Sequence, residues 1–572
     1  MSRSASRILF AATLALSLVA CAAPSGSPRS SGQPAAQSTS STPQRTLVLA
    51  YRTEAASITS RPFVQVDGPS RGPIPIFNAT LDGLDERGIG YPYLAEAIPQ
   101  LNTDTWTVSP DGRMETRYKL RPNLTWHDGT PLSSEDFVFG WRVYATPALG
   151  QASSPPIVFM EEVLAPDAQT IVIRWRQPYG EAASLSDEFQ PLPRHLLQQP
   201  FQELDPSAFV NLPFWSVDYV GLGAYKVERW EPGTFIDARA FDGFVLGKPK
   251  IDRLKIAFIS DANTALANIL AGEVHAVGEF LFGDEQAATL ESQWASTQGG
   301  TILYAQTVLR VTLAQFRPEY ASPAAQLDVR VRRALAHAID ADTANEVLNR
   351  GRGLVTSTVT SPNVDFYPEI ARVASKHPFN PARAQQTMDG AGFSRGSDGF
   401  YRAPDGSAMD FGVWFTSSAK NQQENAVIVD SLRKAGFDAS NRVFPSAQTG
   451  DGEAMALIAG LQTRGHNKPL LDYTTEQIAR PENRWRGSNR GAWSNAAYDR
   501  ALEAFSVSLE RSERIRHIAE MERIFTDELP AIPHWFSPNV TAHVASLKGP
   551  VARINPMTTG GTLKIHEWEW RV

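Results

Sequence analysis

Apolar and polar positions repeat with two periods along this chain, and each period predicts a different kind of element. The run TLVLAY at 46–51 is almost entirely β-branched or apolar, which predicts a buried strand. The segment ETRYKLR at 115–121 alternates between positions for a buried face and basic positions, as a half-buried strand does. Two further strands are predicted at 167–175, DAQTIVIRW, and at 563–570, LKIHEWEW.

Other segments carry apolar residues at the three- to four-residue spacing of an amphipathic helix. Gly272 and Gly436 supply the C-terminal stops of two of these helices. The predicted helices are DANTALANILA from Asp261, LDVRVRRALAHAID from Leu327, NAVIVDSLRKA from Asn425 and SERIRHIAEMERIFTDEL from Ser512. Because helices and strands interleave along the chain, the predicted class is α/β.

The length and charge of the chain limit its architecture and its partners. At 572 residues the chain exceeds the size of one hydrophobic core, so several domains are predicted. The formal net charge is −7 and no run of Lys or Arg occurs, which argues against a nucleic-acid partner.

The first residues have the pattern of a targeting segment. Arg3 and Arg7 precede an apolar run at 8–20, which is shorter than the roughly 20 residues that a membrane-spanning helix needs. The run ends in Leu-Val-Ala-Cys, which resembles a bacterial lipobox, and Cys21 is the only cysteine of the chain. We therefore predict a lipoprotein signal peptide at 1–21, lipidation of Cys21, no intrachain disulfide and a disordered Ser/Pro-rich tether at 22–45.

The stretch NLTWHDGTPLSSEDFVFGWR at 123–142 contains a histidine, two serines and three carboxylates, which a catalytic site could use. Its order is strand, turn and helix. Asp128-Gly129 suits a tight turn, and Ser133 followed by Asp136 is a helix-capping pattern. Catalytic triads are assembled from separated segments, and no G-x-S-x-G elbow accompanies this one. We therefore interpret the stretch as a helix start and predict no catalytic residue.

The same stretch carries a resemblance to a known family. YKLRPNLTWHDGTPLSSEDFVFGW resembles the signature of the extracytoplasmic solute-binding proteins of the peptide/nickel class, family 5, which includes dipeptide- and oligopeptide-binding proteins of ABC transporters. VGLGAYKVERWEPG, LDVRVRRALAHAID and FNPARAQQTMDGAGF resemble further family segments in the same order. The segment GLQTRGHNKPLLDY lacks the tryptophan, aspartate and Asp-Pro common in the family there, which leaves the ligand class open.

The resemblance implies an α/β fold of two lobes joined by two crossing strands, with an extra subdomain on lobe I. The two lobes of such a protein close around a ligand because the ligand contacts both of them only in the closed form. The boundaries implied for this chain are 46–88, 207–304 and 542–572 for lobe I, 89–206 for the extra subdomain, and 305–541 for lobe II.

The resemblance also implies which loops face the ligand. The ligand-binding residues expected from it are Tyr51, Arg52, Glu54, Gly223, Ala224, Tyr225, Trp414, Gln462 and Arg464. Backbone groups of the glycine loop would pair with a peptide main chain, as an added strand does. Arg464 or Arg52 would hold a ligand carboxylate, and Glu54 would hold an ammonium group.

The function expected from the resemblance is capture of a short peptide and its delivery to an ABC transporter permease, by a monomer attached to the membrane through its lipid. Alternatives are a non-peptide solute such as a metal chelate, an oligosaccharide or an opine, and a sensory receptor without transport. A secreted hydrolase is disfavoured because no nucleophile motif occurs. The histidines show no H-x-x-H or H-E-x-x-H spacing, so no metal site and no cofactor are predicted.

Overall fold

The structure is a computed structural model and describes residues 45–60, 63, 71–467, 469–555 and 561–571. The predicted signal peptide, Cys21 and the tether up to residue 44 lie outside the described residues. Within these residues, no helix has both the length and the apolar character needed to cross a membrane.

The described chain alternates between strands and helices, which confirms the predicted α/β class. The strands are β1 (Leu47–Tyr51), β2 (Asp82–Leu84), β3 (Gly90–Pro92), β4 (Trp106–Val108), β5 (Met114–Lys119), β6 (Met160–Asp167), β7 (Thr170–Trp175), β8 (Tyr225–Glu231), β9 (Phe235–Ala240), β10 (Arg253–Phe258), β11 (Ala276–Phe282), β12 (Gly300–Leu313), β13 (Leu354–Val355), β14 (Ser394–Arg395), β15 (Tyr401–Arg402), β16 (Asp410–Thr416), β17 (Asp438–Phe444), β18 (Leu461–His466), β19 (Ala531–Val544), β20 (Leu547–Lys548) and β21 (Glu569–Trp570). The α-helices are α1 (Ile74–Phe77), α2 (Ser134–Tyr144), α3 (Arg194–Glu203), α4 (Pro206–Val210), α5 (Ala262–Ala271), α6 (Asp284–Thr297), α7 (Val329–Ala338), α8 (Ala341–Asn349), α9 (Tyr367–Val373), α10 (Pro381–Gly390), α11 (Ala419–Lys434), α12 (Gly452–Ala456), α13 (Pro469–Asp472), α14 (Ala496–Val507) and α15 (Arg511–Glu528).

Two long antiparallel strands join the two halves of the largest sheet. β12 and β19 have 14 residues each and pair from Gly300 opposite Val544 to Leu313 opposite Ala531. The sheet order is β17-β16-β18-β12-β19-β11-β1-β10-β9-β8. β11 pairs with the C-terminal end of β19. β18 pairs with the C-terminal end of β12, which is the opposite end of this antiparallel strand pair. Two groups of strands are thus attached to opposite ends of one ribbon, which gives a two-lobed protein.

We call β12 and β19 the hinge strands, the half that contains β11, β1 and β10 lobe I, and the half that contains β18, β16 and β17 lobe II. The borders predicted at 304/305 and 541/542 fall within the hinge strands. A separate antiparallel sheet, β4-β5-β7-β6, lies within the segment predicted as the extra subdomain, and α2 packs against β6. The exact domain boundaries stay a prediction.

The stretch at 123–142 forms the strand end, turn and helix that its sequence predicts. Ser133 is the N-cap residue of α2, and the Asp136 carboxylate accepts a hydrogen bond from the Ser133 backbone N–H at 2.9 Å. In lobe I, α5 ends where predicted, because Gly272 adopts the left-handed conformation with φ 78°. Both helix boundaries therefore follow from local capping residues.

The predicted strand at 563–570 is wrong for most of its length. Residues Ile565–Glu567 form a 3₁₀ turn preceded by Lys564 at φ 53°, and only Glu569–Trp570 pairs with another strand. Ile565 and Trp568 are both buried in the lobe I core. Residues three positions apart lie on the same side of a 3₁₀ turn, so the turn buries both side chains. A strand with the two-residue alternation of this segment would place them on opposite faces.

Candidate functional site

A cavity of about 660 Å³ lies where the two lobes meet the hinge strands. It is lined by side chains of both lobes and of both hinge strands, and we call it the hinge cavity. Lobe I contributes Arg52 and residues 260–263, 280–284 and 286 to the lining. The hinge strands contribute Thr307, Val308, Arg310 and residues 537–540. Lobe II contributes Lys420, Asn421 and Glu424. A solute inside it would contact both lobes at once.

Three helices begin at the hinge cavity. They are α5, α6 and α11, whose N-cap residues are Asp261, Gly283 and Ser418. The N-terminus of an α-helix carries roughly half a positive charge together with free backbone N–H groups. The Asp261 carboxylate already accepts a hydrogen bond from the Thr264 N–H at 2.7 Å. The three helix N-termini therefore make the electrostatic potential in the cavity more positive than its charged side chains alone would.

A buried ion pair between a hinge strand and α11 of lobe II forms one wall of the cavity. The Arg310 guanidinium donates from Nε and Nη2 to the two Glu424 carboxylate oxygens at 3.0 and 2.6 Å. Nη2 also donates to the Asn421 side-chain oxygen at 3.2 Å. The Arg310 and Glu424 side chains are 15% and 3% exposed, so each charge depends on the other for its solvation.

Ion pairs also connect the two lobes directly. The Lys420 ammonium on α11 lies 2.9 Å from an Asp284 carboxylate oxygen on α6, across the cavity. The Arg352 guanidinium of lobe II lies 2.6 Å from the Glu291 carboxylate on α6, which also accepts a hydrogen bond from the Tyr304 hydroxyl at 2.7 Å. These contacts hold the lobes in the arrangement described here.

Two partly buried arginines of lobe II, Arg464 and Arg490, form no ion pair with a described residue. Arg464 lies directly opposite Val311, next to Arg310 in β12, and successive residues of a strand point to opposite faces. Neither the Arg464 nor the Arg490 side chain has a hydrogen bond or ion pair with a described residue, and Arg464 Nη1 and Arg490 Nε are buried. We call these two residues the basic pair.

Burial makes the positive charges of the basic pair energetically unfavourable, because it removes them from water. Burial lowers the pKa of the Arg464 guanidinium, although Tyr473 and Asp472 nearby oppose this shift. Burial, with the positive charge of Arg464 as the smaller cause, lowers the pKa of Arg490 to about 10. A buried charge without a partner is normally retained only where a ligand or a function compensates its desolvation.

A chain of hydrogen bonds fixes the end of β18 beside the basic pair. The His466 ring donates from Nδ1 to the Asp472 carboxylate at 2.8 Å and accepts at Nε2 from the Tyr473 hydroxyl at 3.1 Å. Burial lowers the pKa of His466 to about 4, so the ring is neutral at physiological pH. The three side chains are satisfied by one another, which gives them a structural role in holding the loop after β18.

The structure places the predicted residues that follow β1 in different surroundings. The Tyr51 ring is buried, and burial raises the pKa of its hydroxyl above the ordinary value. Arg52 is exposed and lines the hinge cavity, without a side-chain partner among the described residues. The Glu54 carboxylate accepts hydrogen bonds from Trp230 Nε1 and from the Gly233 N–H, the latter at 2.7 Å. Of these residues, Arg52 alone lines the cavity.

The predicted glycine loop lies in the interior of lobe I. Its Gly223 N–H donates to the Phe77 carbonyl at 3.0 Å, and a Cβ on Gly223 would lie 2.3 Å from the Phe77 carbonyl carbon, so glycine is required. His127 Nε2 donates to the Gly223 carbonyl at 3.0 Å. Ala224 and Tyr225 are buried beside it. In this arrangement the loop's backbone groups bind other parts of lobe I.

The predicted lobe II residues are also spread over more than one surface. Trp414 is partly buried against Phe444, Met455 and Ile458 and donates from Nε1 to the Ala459 carbonyl at 2.7 Å. Gln462 is buried within β18, two residues before Arg464. The structure therefore does not bring the predicted residues together as one surface, and their roles stay predictions.

Several residues at these sites were missed by reasoning from the sequence. They are Arg310, Glu424, Lys420, Asp284, Thr307 and Arg490. One signal was available, since Arg310 is a charged residue within the apolar strand sequence TVLRVTLA. A single Arg in a β-strand otherwise made of Val, Leu and Thr indicates a partner or a ligand. Among the described residues, no group of three His, Cys, Asp or Glu side chains could hold a metal ion.

The comparisons with known proteins agree with this geometry. A family model described as "Bacterial extracellular solute-binding proteins, family 5 Middle" matches residues 96–470. A Brucella ovis protein named as an ABC transporter peptide-binding protein is 22% identical over 291 residues, which are 51% of this chain and 51% of that protein. The match thus spans about half the length of this relative.

Two longer matches extend the likeness. The oligopeptide-binding protein AppA of Bacillus subtilis is 22% identical over 464 residues, covering 79% of this chain and 78% of AppA. The crystal structure of NikZ from Campylobacter jejuni in complex with Ni(L-His) is similar with a TM-score of 0.71 and 21% identity, covering 92% of this chain and 100% of NikZ.

The two lobes, the hinge strands and the likeness to the NikZ structure give the two-lobed fold of the periplasmic binding-protein type, as predicted. The chain belongs to family 5 of the bacterial extracellular solute-binding proteins. The resemblance seen in the sequence is thereby confirmed. Because the family consists of solute-binding proteins, the prediction that the chain is not an enzyme is confirmed as well.

Proposed function

We propose that this protein captures a short peptide between its two lobes and delivers it to the permease of an ABC transporter. Family membership supports solute binding, and the names of the Brucella ovis and Bacillus subtilis relatives favour a peptide. In this proposal the hinge strands carry the closing motion, and the ion pairs between Lys420 and Asp284 and between Arg352 and Glu291 form as the lobes approach.

The observation that carries the proposed ligand class is the basic pair. Arg464 and Arg490 are partly buried and have no acidic partner among the described residues. A ligand carboxylate would compensate their charge, and an arginine fork matches the geometry of a carboxylate. The C-terminal carboxylate of a peptide provides such a group irrespective of side chains, which would give broad side-chain tolerance.

Calorimetry against di- to pentapeptides tests this proposal. We expect saturable binding of free peptides, without turnover, and binding at least about tenfold weaker for the same peptides with an amidated C-terminus, because hydrogen bonds to a charged group contribute roughly 1.5–3 kcal/mol. Equal binding of the free and amidated forms would argue against the carboxylate contact. If no peptide in the set bound, the peptide assignment would be rejected.

A non-peptide ligand is the second candidate. The NikZ structure, which has this fold, contains Ni(L-His), and L-histidine also carries a carboxylate. Titration with Ni²⁺ and L-histidine together, beside Ni²⁺ alone, separates this candidate from the peptide. Saturable binding confined to the chelate, with all peptides inactive, would favour it. Oligosaccharides, opines and a sensory role without transport are the remaining alternatives.

The membrane attachment is a further part of the proposal. Cys21, at the end of the apolar run, would carry the lipid, and replacing it with serine removes the acylated thiol. We expect the Cys21→Ser protein to leave the membrane fraction of the producing cell, measured by immunoblotting of fractions. A variant that still sediments with membranes would show that another segment is the anchor.

A further inference from the structure

Two residues of the hinge strands that line the hinge cavity have buried hydroxyl groups without a hydrogen-bond partner among the described residues. Thr307 is 5% exposed and lines the cavity, and its Oγ1 is buried without a hydrogen-bond partner. The Ser537 Oγ on the other hinge strand is in the same condition. Buried polar side chains normally have partners, so two unpaired hydroxyls in one cavity indicate a missing partner.

The backbone around these hydroxyls departs from regular strand geometry. The pairing of β12 with β19 shifts register between Gln306 and Val308, which places Thr307 at the irregularity. Phe280, in the irregular part of β11, lines the same cavity at φ 67°. A bulky residue in the left-handed region costs free energy, and such strain clusters where ligands bind.

The charges of the cavity favour an anion. The Asp284 carboxylate is paired with Lys420, and Glu424 is paired with Arg310. The Arg52 side chain has no partner among the described residues. The lining carries equal formal numbers of cations and anions. The N-termini of α5, α6 and α11 add partial positive charge, which Asp261 and Asp284 offset at α5 and α6 and which stays uncompensated by a first-turn carboxylate at α11.

We propose that the hinge cavity is a second binding site, for a small solute that carries an oxyanion, either a carboxylate or a phosphate. Thr307 and Ser537 would donate hydrogen bonds to the oxyanion, and Arg52 with the helix N-termini would balance its charge. Arg310, which lines this site, points to the opposite face of β12 from Arg464, and the site does not rest on the proposed peptide function. Its occupant contacts both lobes and stabilises the arrangement described here over one with separated lobes.

Calorimetry in Tris chloride, with inorganic phosphate and succinate as separate probes, tests this site and distinguishes its two ligand sources. We expect one equivalent of at least one probe to bind saturably. Thr307→Val, which replaces the hydroxyl with a methyl group, should weaken that binding about tenfold, because the bond to a charged group is lost. Ser537→Ala should act in the same direction.

Thr301→Val is the matched control, since Thr301 is an exposed residue of the same strand and does not line the cavity. It should bind the probe as the unchanged protein does, and circular dichroism checks that every variant is folded. Absence of saturable binding up to about 10 mM, the weak end of specific affinity, would overturn the proposal. Equal affinity of the folded Thr307→Val and Ser537→Ala proteins and the unchanged protein would also overturn it.

Discussion

Replacing Arg464 with methionine should weaken ligand binding at least about tenfold and at the same time raise the free energy of unfolding by about 1–3 kcal/mol. The two effects have one cause. The Arg464 guanidinium is partly buried and has no partner among the described residues, so the unliganded protein carries the cost of its desolvation. Methionine keeps the length of the side chain and removes this cost together with the proposed carboxylate contact.

Arg317 provides the control for this prediction. Its guanidinium donates to the Gln315 side-chain oxygen and to the carbonyls of Ala456, Ala479 and Arg490. Gln315 Oε1 and the Ala456 carbonyl keep other donors, so Arg317→Met leaves the Ala479 and Arg490 carbonyls unpaired. It should lower the free energy of unfolding by about 2 kcal/mol or more, since each buried unpaired group costs ~1–3 kcal/mol. Urea denaturation and peptide calorimetry measure both quantities. A destabilised Arg464→Met protein that binds peptide normally would assign Arg464 to structure.

The local elements of this fold could be predicted from the sequence because their signals are local. The buried strand β1, the alternating strand β5 and the glycine stop of α5 each depend on residues within one element. The strand predicted at 563–570 is wrong because the prediction used the same kind of local signal. A short alternating segment does not determine which of its residues are buried in the core. There the burial of Ile565 and Trp568 prevails over the alternation.

The candidate site could be predicted only in part, because its contacts join distant segments. Arg310 and Glu424 are separated by 114 positions, and no local pattern pairs them. The Glu54 carboxylate binds Trp230, which is 176 positions away, and its predicted contact with a ligand stays a prediction. Arg464 was found through the family resemblance, whereas Arg490, its neighbour in the basic pair, has no sequence signal at all. The missing information is tertiary, and local propensity does not contain it.

Removal of the Glu424 carboxylate should cause the largest loss of stability among these changes. Glu424→Ala leaves the Arg310 guanidinium, 15% exposed, with the Asn421 side-chain oxygen as its remaining hydrogen-bond acceptor. Breaking a buried ion pair on one side typically costs about 3–5 kcal/mol, because the remaining charge stays buried without compensation. Alanine is a good helix former, so α11 itself should persist. The midpoint and slope of urea denaturation give the free energy.

The double variant Arg310→Met with Glu424→Leu distinguishes this cause from a general packing defect. If desolvated charge is responsible, replacing both partners with apolar groups should recover stability to within about 1 kcal/mol of the unchanged protein, or exceed it. Lys434→Ala removes a partner of the exposed pair with Asp430 on the same helix and should change stability by less than about 0.5 kcal/mol. A double variant as unstable as Glu424→Ala alone would locate the loss in packing around the hinge strands. The charge pair would then have no separate part in holding α11 against β12.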